Sequence, residues 1–484
     1  GGGRFRAPFG APDEIGAAAC CVSTIRIAFR AEISLPNVCR CAKRRTSTHW
    51  RCGGMTVEAR AETQTMGVVH HMRILFAHTN FPAQFGAFGA WLATRGWDVV
   101  FATARRDAQP PRGTRLFRCE AAQEGAFETH RHARPLDRAM RTAENFAAAA
   151  LRARARGVAP DIVVAHSGWG AGTHAKAVWP EARFVPYVEW WYAHPRPDVV
   201  PGEASPVCDT ALRAGAAARN APMLIDLALA DIAWCPTHFQ AAQFPEWLRG
   251  RLHVSHDGVD CATLRPDAQA RARLVAKLGV PPDAELVTYA ARGLEPHRGF
   301  PEFMRALAIL QKIRPRLFAL IAGEDRAAYG APPPEGGTWK ARMLAELDLN
   351  PERINFAGYM PSHLHRALLQ GTDAHVYLTV PFVLSWSFIE AMSIGTPLVA
   401  SDAEPVHEAL GASDGALLVD HADPHALAAA IAVCLDNPTA ARARGARARQ
   451  RALEIYDQAR LWPIRMRMLT TLAGSSLGRR ASER

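Results

Sequence analysis

Two arginines, Arg292 and Arg298, bracket the run Arg292-Gly-Leu-Glu-Pro-His-Arg298-Gly299-Phe300. Arginine presents a planar, permanently charged fork that grips phosphate oxygens in pairs. Two such forks in a glycine-containing turn, after a strand and before a helix, can clamp a diphosphate, and the helix adds its first N–H groups and dipole. The same run also reads as a surface turn with stray arginines. On either reading Arg298 is expected on a turn, so that Arg298→Ala removes no core contact. A second run, Pro381-Phe-Val-Leu-Ser385-Trp386-Ser387-Phe-Ile-Glu390, ends a strand and opens a helix. The backbone N–H groups at Ser385, Trp386 and Ser387 offer an anion site there. Glu390, one turn further, can accept from a pair of sugar hydroxyls. Spacing alone favours a different role, because Ser387-Phe-Ile-Glu390 has the form of a helix capping box.

His166 closes the run Asp161-Ile-Val-Val-Ala-His166. A lone histidine at a strand end is more often a satisfied core residue than a substrate contact, and the residues alone favour the former. The segment Tyr187-Val-Glu189-Trp190-Trp191-Tyr192-Ala-His194 carries aromatic rings after a strand. Such rings can pack on sugar faces while Glu189 orients a hydroxyl, or they can be the buried underside of a lid. Both readings stand. The chain holds no Asp-x-Asp pair, phosphate-binding Walker loop, Gly-x-Ser-x-Gly elbow or His-Glu-x-x-His helix. No metal is therefore expected, since clustered positive charge can do a divalent ion's work at a diphosphate.

The elements that must hold these residues alternate regularly from Met72 onward. Strands are expected at 73–77, 98–102, 161–165, 183–188 and 231–235, with helices at 85–94 and 136–156 between them. After Pro266 a second round places strands at 285–290, 318–322, 354–357, 374–378 and 397–400. Helices fall at about 300–312, 337–347, 362–370 and 386–394, then over 424–456 and 457–472. Strands separated by helices call for parallel sheets covered on both faces. The fold class is thus α/β, two doubly wound Rossmann-like domains facing a cleft. Residues 72–262 form the first, residues 263–456 the second, and 457–484 a helix returning to the first plus a tail. Ligands in such folds bind outside the carboxyl ends of the strands.

Composition narrows the class. Of 484 residues, 49% are apolar and 21% charged, as in ordinary globular proteins, and no run approaches a membrane span. The formal charge of +11 gathers partly in residues 1–71 and partly in Arg442, Arg444, Arg447, Arg449 and Arg451. A basic helix can serve an anionic membrane or a phosphate-bearing substrate, but a solvated face is the reading that its pattern favours. No nucleic-acid signature accompanies it. Five cysteines, Cys20, Cys21, Cys39, Cys41 and Cys52, fall in the first 52 residues, and the other five are scattered. This is no disulfide framework, so a cytoplasmic setting is expected, with contact at the inner membrane face as an alternative. A zinc site at Cys39 and Cys41 lacks a second ligand pair.

The run Ser387-x-x-Glu390-Ala-Met-x-x-Gly395-x-Pro397-Leu-Val-x-Ser401 resembles the signature helix of family 4 of the retaining glycosyltransferases, which share a two-Rossmann-domain fold termed GT-B. Arg292 and Arg298-Gly299 are similar to that family's basic pair. Further landmarks follow in order: Met72-Arg-Ile-Leu-Phe-Ala-His78, the run ending at His166, His256-Asp-Gly-Val-Asp260, Ile321-Ala-Gly-Glu324 and Ile354-Asn-Phe-Ala-Gly358. The wording is nearest to a bacterial subgroup with Asn80-Phe-Pro-x-Gln-Phe85. The resemblance implies that Arg292 and Arg298 bind a donor diphosphate and Glu390 its ribose, with Ser385, Trp386 and Ser387 close by. It further implies that Gly358, Tyr359 and Met360 meet the base and that His166 approaches the transferred sugar. Asn80, Gln84, Glu189 and Trp190 are the acceptor-side candidates. The implied partners are a nucleotide-sugar donor and a glycan, lipid-linked or small-molecule acceptor, in polysaccharide or cell-envelope assembly. One departure stands out: the family commonly has a second Glu eight residues before the ribose Glu, where this chain has Phe382. That leaves open a non-catalytic sugar-binding homologue, beside an epimerase or hydrolase on the same fold.

Residues 1–71 show no strand–helix rhythm and are expected to be a disordered or mis-annotated extension. Deleting them should leave the melting midpoint unchanged. A fall of several degrees would show that they pack on the remainder.

Overall fold

The computed structural model describes residues 71–122, 129–198, 200 and 209–482, within the unit Val68–Arg484. The expectations for residues 1–70, the five early cysteines included, lie outside the described residues.

Thirteen strands build two sheets among the described residues, and every strand pair is parallel. The first sheet uses β1 (Arg73–Ala77), β2 (Asp98–Thr103), β3 (Arg115–Arg118), β4 (Ile162–His166), β5 (Arg183–Tyr187), β6 (Ala233–Cys235) and β7 (Leu252–Val254), in the order β3-β2-β1-β4-β5-β6-β7. The second uses β8 (Glu285–Gly293), β9 (Leu317–Glu324), β10 (Ile354–Gly358), β11 (Ala374–Tyr377), β12 (Leu398–Ser401) and β13 (Leu417–Val419), in the order β10-β9-β8-β11-β12-β13. These are two doubly wound α/β sheets. Central strands such as Ile162–His166 are buried along their whole length, because helices cover both faces, and this is why they read as continuous apolar runs.

In each sheet the strand order reverses once, between β1 and β4 and between β8 and β11. At such a point the connections leave in opposite directions and open a crevice above the carboxyl ends. His78 follows β1, and His166 is the last residue of β4. The arginine turn follows β8, and the run 379–390 follows β11.

Several elements differ from the sequence reading. The edge strands β3, β7 and β13 span three or four residues, too few for a period to show, and their side chains are only partly covered. Helices Asp209–Leu229, Ala270–Leu278 and Glu404–Leu410 were not anticipated. The segment 424–456 is two helices, Pro424–Asp436 and Pro438–Ile455, broken where the Asn437 side chain accepts from Ala440 N–H at 3.0 Å and Pro438 starts the next. The basic face of the second is only partly solvated. Arg447 pairs with Asp414, Arg449 donates to the Leu264 and Ser393 carbonyls, and Arg451 reaches the Ala409 carbonyl. Arg442 remains exposed.

The last helix, Gln458–Ser482, leaves the second sheet and packs on the first. Its Trp462, Leu469 and Ala473 join a core with Ile74, Phe76, Phe88 and Trp234. The chain passes between the sheets twice, side by side: Val259 N–H donates to the Tyr456 carbonyl at 2.8 Å, and Gln458 N–H to the Val259 carbonyl at 3.1 Å. Deeper in, Arg465 is 2% exposed. Its guanidinium meets Asp257 at 3.2 Å and the Ser255 carbonyl at 2.7 Å, and lies 4.6 Å from the Trp234 ring centroid. The other Asp257 oxygen accepts from Tyr187 O–H at 2.7 Å.

Burying two opposite charges costs solvation that only their mutual contact and hydrogen bonds offset. Arg465→Ala strands Asp257 without its cation, and a loss of about 3–5 kcal/mol in denaturant unfolding is expected. A loss below about 1 kcal/mol, the level of an exposed pair, would show that the helix docks by its apolar side chains alone.

Candidate functional site

The arginine turn depends on a left-handed backbone position that favours glycine. After β8, a short 3-10 turn at Pro296–Arg298 runs into Gly299, which has φ +63° and caps the helix Phe300–Ile313. A side chain there would be strained and would meet the Leu378 Cβ at 2.5 Å, so only glycine fits. The turn delivers Arg298 inward. It is 6% exposed, and its guanidinium donates to Thr379 Oγ1 at 2.6 Å and the Val383 carbonyl at 3.1 Å, with the Tyr377 hydroxyl at 3.4 Å. The expectation that Arg298→Ala removes no core contact is therefore corrected: the turn folds over the end of β11, and the side chain is part of the packing. Its partners are neutral oxygens, and among the described residues no carboxylate pairs with it. Arg292 is exposed at the same mouth, its guanidinium 5.8 Å from the Tyr329 ring centroid, against 5.2 Å for that of Arg298. Arg292, Arg298, Tyr329, Tyr377, Ser385 and Ser387 line one pocket.

Glu295, between the two arginines in sequence, is not their counter-ion. Fully buried, it accepts backbone N–H bonds from Tyr329 at 3.0 Å and Gly330 at 2.8 Å, and so fixes the loop whose ring lies against both guanidiniums. The sequence held one hint of this, an acid within a basic turn, but nothing to name its partner. Next to it His297 is buried, and its Nε2 lacks a hydrogen-bond partner. Burial, and then the Arg298 charge, lower its pKa to about 4, so it adds no cation at neutral pH.

The signature helix begins at Trp386 and runs to Ile394. Ser385 is its N-cap, with its hydroxyl accepting from Ser387 N–H at 3.3 Å and its own N–H donating to the Tyr377 hydroxyl at 3.0 Å. The capping-box reading of Ser387 and Glu390 is thus corrected: the helix starts two residues earlier, and Phe388 sits where the box needs an acid. Glu390 instead faces His365 Nδ1 at 3.5 Å. Burial raises the Glu390 carboxyl above its ordinary range and pushes His365 down. Gly358, with φ +64°, ends β10; Tyr359 beyond it is 79% exposed, and Met360 is half-buried against the core. Trp386 is 42% exposed.

Phe382 packs edge-on to His297 and Trp190 at 4.8 Å each and to Tyr329 at 5.5 Å, with the Arg298 guanidinium 5.8 Å away. Trp190 follows β5 of the first sheet, so this contact crosses the cleft. A second crossing is polar: the Glu408 carboxylate accepts from His238 and Phe239 N–H at 2.7 and 2.6 Å. The aromatic segment after β5 therefore divides its work. Tyr187 is in the core, Trp190 at the crossing, Trp191 against Phe244 at 5.6 Å, and Tyr192 exposed.

At the first reversal point the rings of His78 and His166 lie 4.5 Å apart. His78 Nδ1 accepts from Asn80 N–H at 2.8 Å, and burial, then His166, lower its pKa to about 2, which keeps it neutral. His166 is 7% exposed; Nδ1 meets the Ser167 carbonyl at 3.1 Å and Nε2 the Glu189 carboxylate at 3.2 Å. Gln84 donates to the other Glu189 oxygen at 3.4 Å. Asn80 is turned away, its amide oxygen accepting from Arg105 at 3.3 Å. Behind this group Asp226, 1% exposed and not singled out by the sequence, accepts from Ser167 Oγ and Thr173 Oγ1, both at 2.7 Å, and fixes the turn that follows His166. Among the described residues no three His, Cys, Asp or Glu side chains are grouped to hold a metal, and no helix is long and apolar enough to cross a membrane.

Two family profiles match in succession, "Glycosyl transferase family 4 group" over residues 95–264 and "Glycosyl transferases group 1" over residues 270–451. The D-inositol 3-phosphate glycosyltransferase of Kineococcus radiotolerans is 31% identical over 219 residues, 42% of this chain and 48% of that one. The MMP alpha-(1->4)-mannosyltransferase of Mycolicibacterium hassiacum is 29% identical over 243 residues, 50% of this chain and 52% of that one. The chain thus spans about half the length of the curated relatives it matches. Among solved structures, the sucrose-phosphate synthase of Thermosynechococcus elongatus overlays with a TM-score of 0.63 at 19% identity, covering 84% of this chain and 100% of that one. The Anabaena protein HepE, in complex with UDP-glucose, gives 0.57 at 16% identity over 85% and 100%. These likenesses agree with the two sheets and their reversal points, and the two profiles fall one on each half. The chain belongs to the family 4 glycosyltransferases, on the GT-B fold.

Proposed function

We propose that this protein moves a sugar from a nucleotide-sugar donor to an acceptor hydroxyl, with retention at the anomeric carbon and without a metal. The observation that carries this reading is Arg298, a buried cation that pairs with no carboxylate among the described residues and faces a pocket shared with exposed Arg292 and the N-terminus of the signature helix. A desolvated charge without an anion is costly, and a diphosphate supplies the anion. In the reaction the bond from the anomeric carbon to the diphosphate oxygen breaks and one to the acceptor oxygen forms. The acceptor proton passes to the departing phosphate on the same face, while Arg292 and Arg298 stabilise the charge that develops there. Glu390 holds the ribose, and the backbone of Gly358, exposed Tyr359 and Met360 border the base. UDP is the first nucleotide to try, since HepE is described with UDP-glucose and another solved structure of this fold, from E. coli, with UDP-2-fluoro glucose. The acceptor is a glycan, a lipid-linked or a small molecule in polysaccharide or cell-envelope assembly, at the cytoplasmic side of the membrane.

Phe382 favours a second reading, a sugar-binding homologue without turnover, because a ring stands where relatives commonly carry an acid. Thermal shift across a panel of nucleotide-sugars picks out the donor, since a ligand of the native state raises the midpoint. Release of nucleoside diphosphate with that donor then separates transfer from binding. No stabilisation by any member of the panel would end both readings.

Two substitutions test the donor site. Arg298→Met keeps the volume while removing the charge, so the melting midpoint should hold within a few degrees. Nucleoside diphosphate affinity should fall about 10- to 100-fold, the equivalent of the roughly 1.5–3 kcal/mol of a charged hydrogen bond. Unchanged affinity in a titration would remove the diphosphate assignment.

Glu390→Gln probes the ribose. Because burial raises its folded-state pKa, ionised Glu390 costs stability at neutral pH, and that cost disappears as pH falls through the folded pKa. Glutamine lacks the cost, so the variant should melt at or above the wild type. Its nucleotide affinity should fall about tenfold, since charge-assisted bonds are roughly twice as strong as neutral ones. Lower stability with normal affinity would give Glu390 a purely structural role.

A further inference from the structure

Arg292 and Arg298 carry like charges, which repel, so a clamp made of the two needs something to keep them together. Arg298 is fixed by Thr379, Val383 and Tyr377. Arg292 is exposed at the end of β8, and among the described residues no hydrogen bond or ion pair holds its guanidinium. What the two arginines share is one ring. The Tyr329 centroid lies 5.2 Å from the Arg298 guanidinium and 5.8 Å from that of Arg292, both within the range at which an aromatic face attracts a cation. The ring is 41% exposed and lines the same pocket as both arginines.

A half-exposed tyrosine on a loop is ordinarily free to turn away, but this one is tied down from several sides. It lies in the connection between β9 and the helix Trp339–Glu346. Glu295, fully buried, accepts Tyr329 N–H at 3.0 Å and Gly330 N–H at 2.8 Å. The same loop runs close over β8, where a side chain at Gly293 would meet the Arg326 carbonyl at 2.5 Å and the Ala328 Cβ at 3.0 Å. Farther on, Trp339 Nε1 donates to the Ala331 carbonyl at 2.9 Å. The ring itself is braced by Phe382 at 5.5 Å and His297 at 5.6 Å. A buried acid is costly to keep, and what this one secures is the loop that carries the ring.

We infer that Tyr329 is a positioning residue of the donor site: its ring keeps the two guanidiniums side by side for a diphosphate, and Glu295 acts through it. This rests on the donor reading above and deepens it. Groups ordered before the ligand arrives bind it more tightly, because less freedom is lost on binding. The ligand chemistry concerned is the diphosphate, apart from base, ribose and sugar.

The test uses the full chain with inorganic pyrophosphate, UDP and UDP-glucose as probes, or the nucleotide pair that thermal shift selects. Tyr329→Leu removes the ring and should weaken all three by a similar factor of about tenfold, with the melting midpoint held because the ring is exposed. Tyr329→Phe keeps the ring and should stay within about twofold of the wild type. Glu295→Gln should weaken all three by about threefold or more. Removing a negative charge from between two arginines would by itself favour an anion, so a loss there marks displaced geometry. In the Tyr329→Leu background Glu295→Gln should add little, as for residues that act as one unit. Equal losses in the Phe and Leu variants would assign the effect to the hydroxyl, and a loss for UDP-glucose that spares pyrophosphate would assign the ring to the sugar. Unchanged affinities, or fully additive losses, would leave the loop a purely structural role. Each of these results overturns the inference and leaves the donor reading standing. Failure of the wild type to bind pyrophosphate, any nucleoside diphosphate or any nucleotide-sugar would overturn both.

Discussion

A parallel sheet has to bring its chain back to the starting edge after each strand, and the return is right-handed in nearly all proteins. A sheet that is to be covered on both faces must then reverse its order of growth, and the reversal leaves a gap between two outgoing loops. Both sheets here carry that gap, beside β1 and β4 and beside β8 and β11. The chemistry-bearing side chains gather above these gaps because the backbone N–H groups and loop ends there are not consumed by the sheet. Arg298 and Ser385 come from segments far apart in sequence, and the adjacency of β8 and β11 brings them to one rim.

Charge is distributed unevenly over that rim. His297 and His365 are held neutral by burial, so the positive potential of the second half comes from its arginines and from one helix end. Glu295, which might have quenched it, spends its charge on two backbone N–H groups. The result is a cation kept in a low-dielectric wall, where its field acts over a longer range than in water.

Much of the scaffold was legible in the residues. Buried parallel strands such as Ile162–His166 announce themselves as apolar runs, and the chain order of glycine-bearing turns marked both sheets. The edge strands were not legible, since Leu252–Val254 has no room for a period. At the site, residue types were readable but their depth was not. Arg298 lies in a turn by every local rule, and only Thr379 and Val383, remote in sequence, make it an interior residue. The Ser387 and Glu390 spacing fitted a capping box, but the helix frame is set by Ser385, whose N–H is held by Tyr377. Phe382 could be recognised as a departure, while its partner Trp190 belongs to the other sheet and follows from no local pattern.

The paired crossings at Val259 and Tyr456–Gln458 have a mechanical meaning. A single covalent link lets two bodies bend and swivel about it in any direction. Two links side by side, stitched by hydrogen bonds in both directions, resist swivelling, because rotation about the line joining the halves shears both stitches at once. Bending across the pair is the softer motion that remains. The link therefore constrains the two halves as a door hinge would, and not as a ball joint.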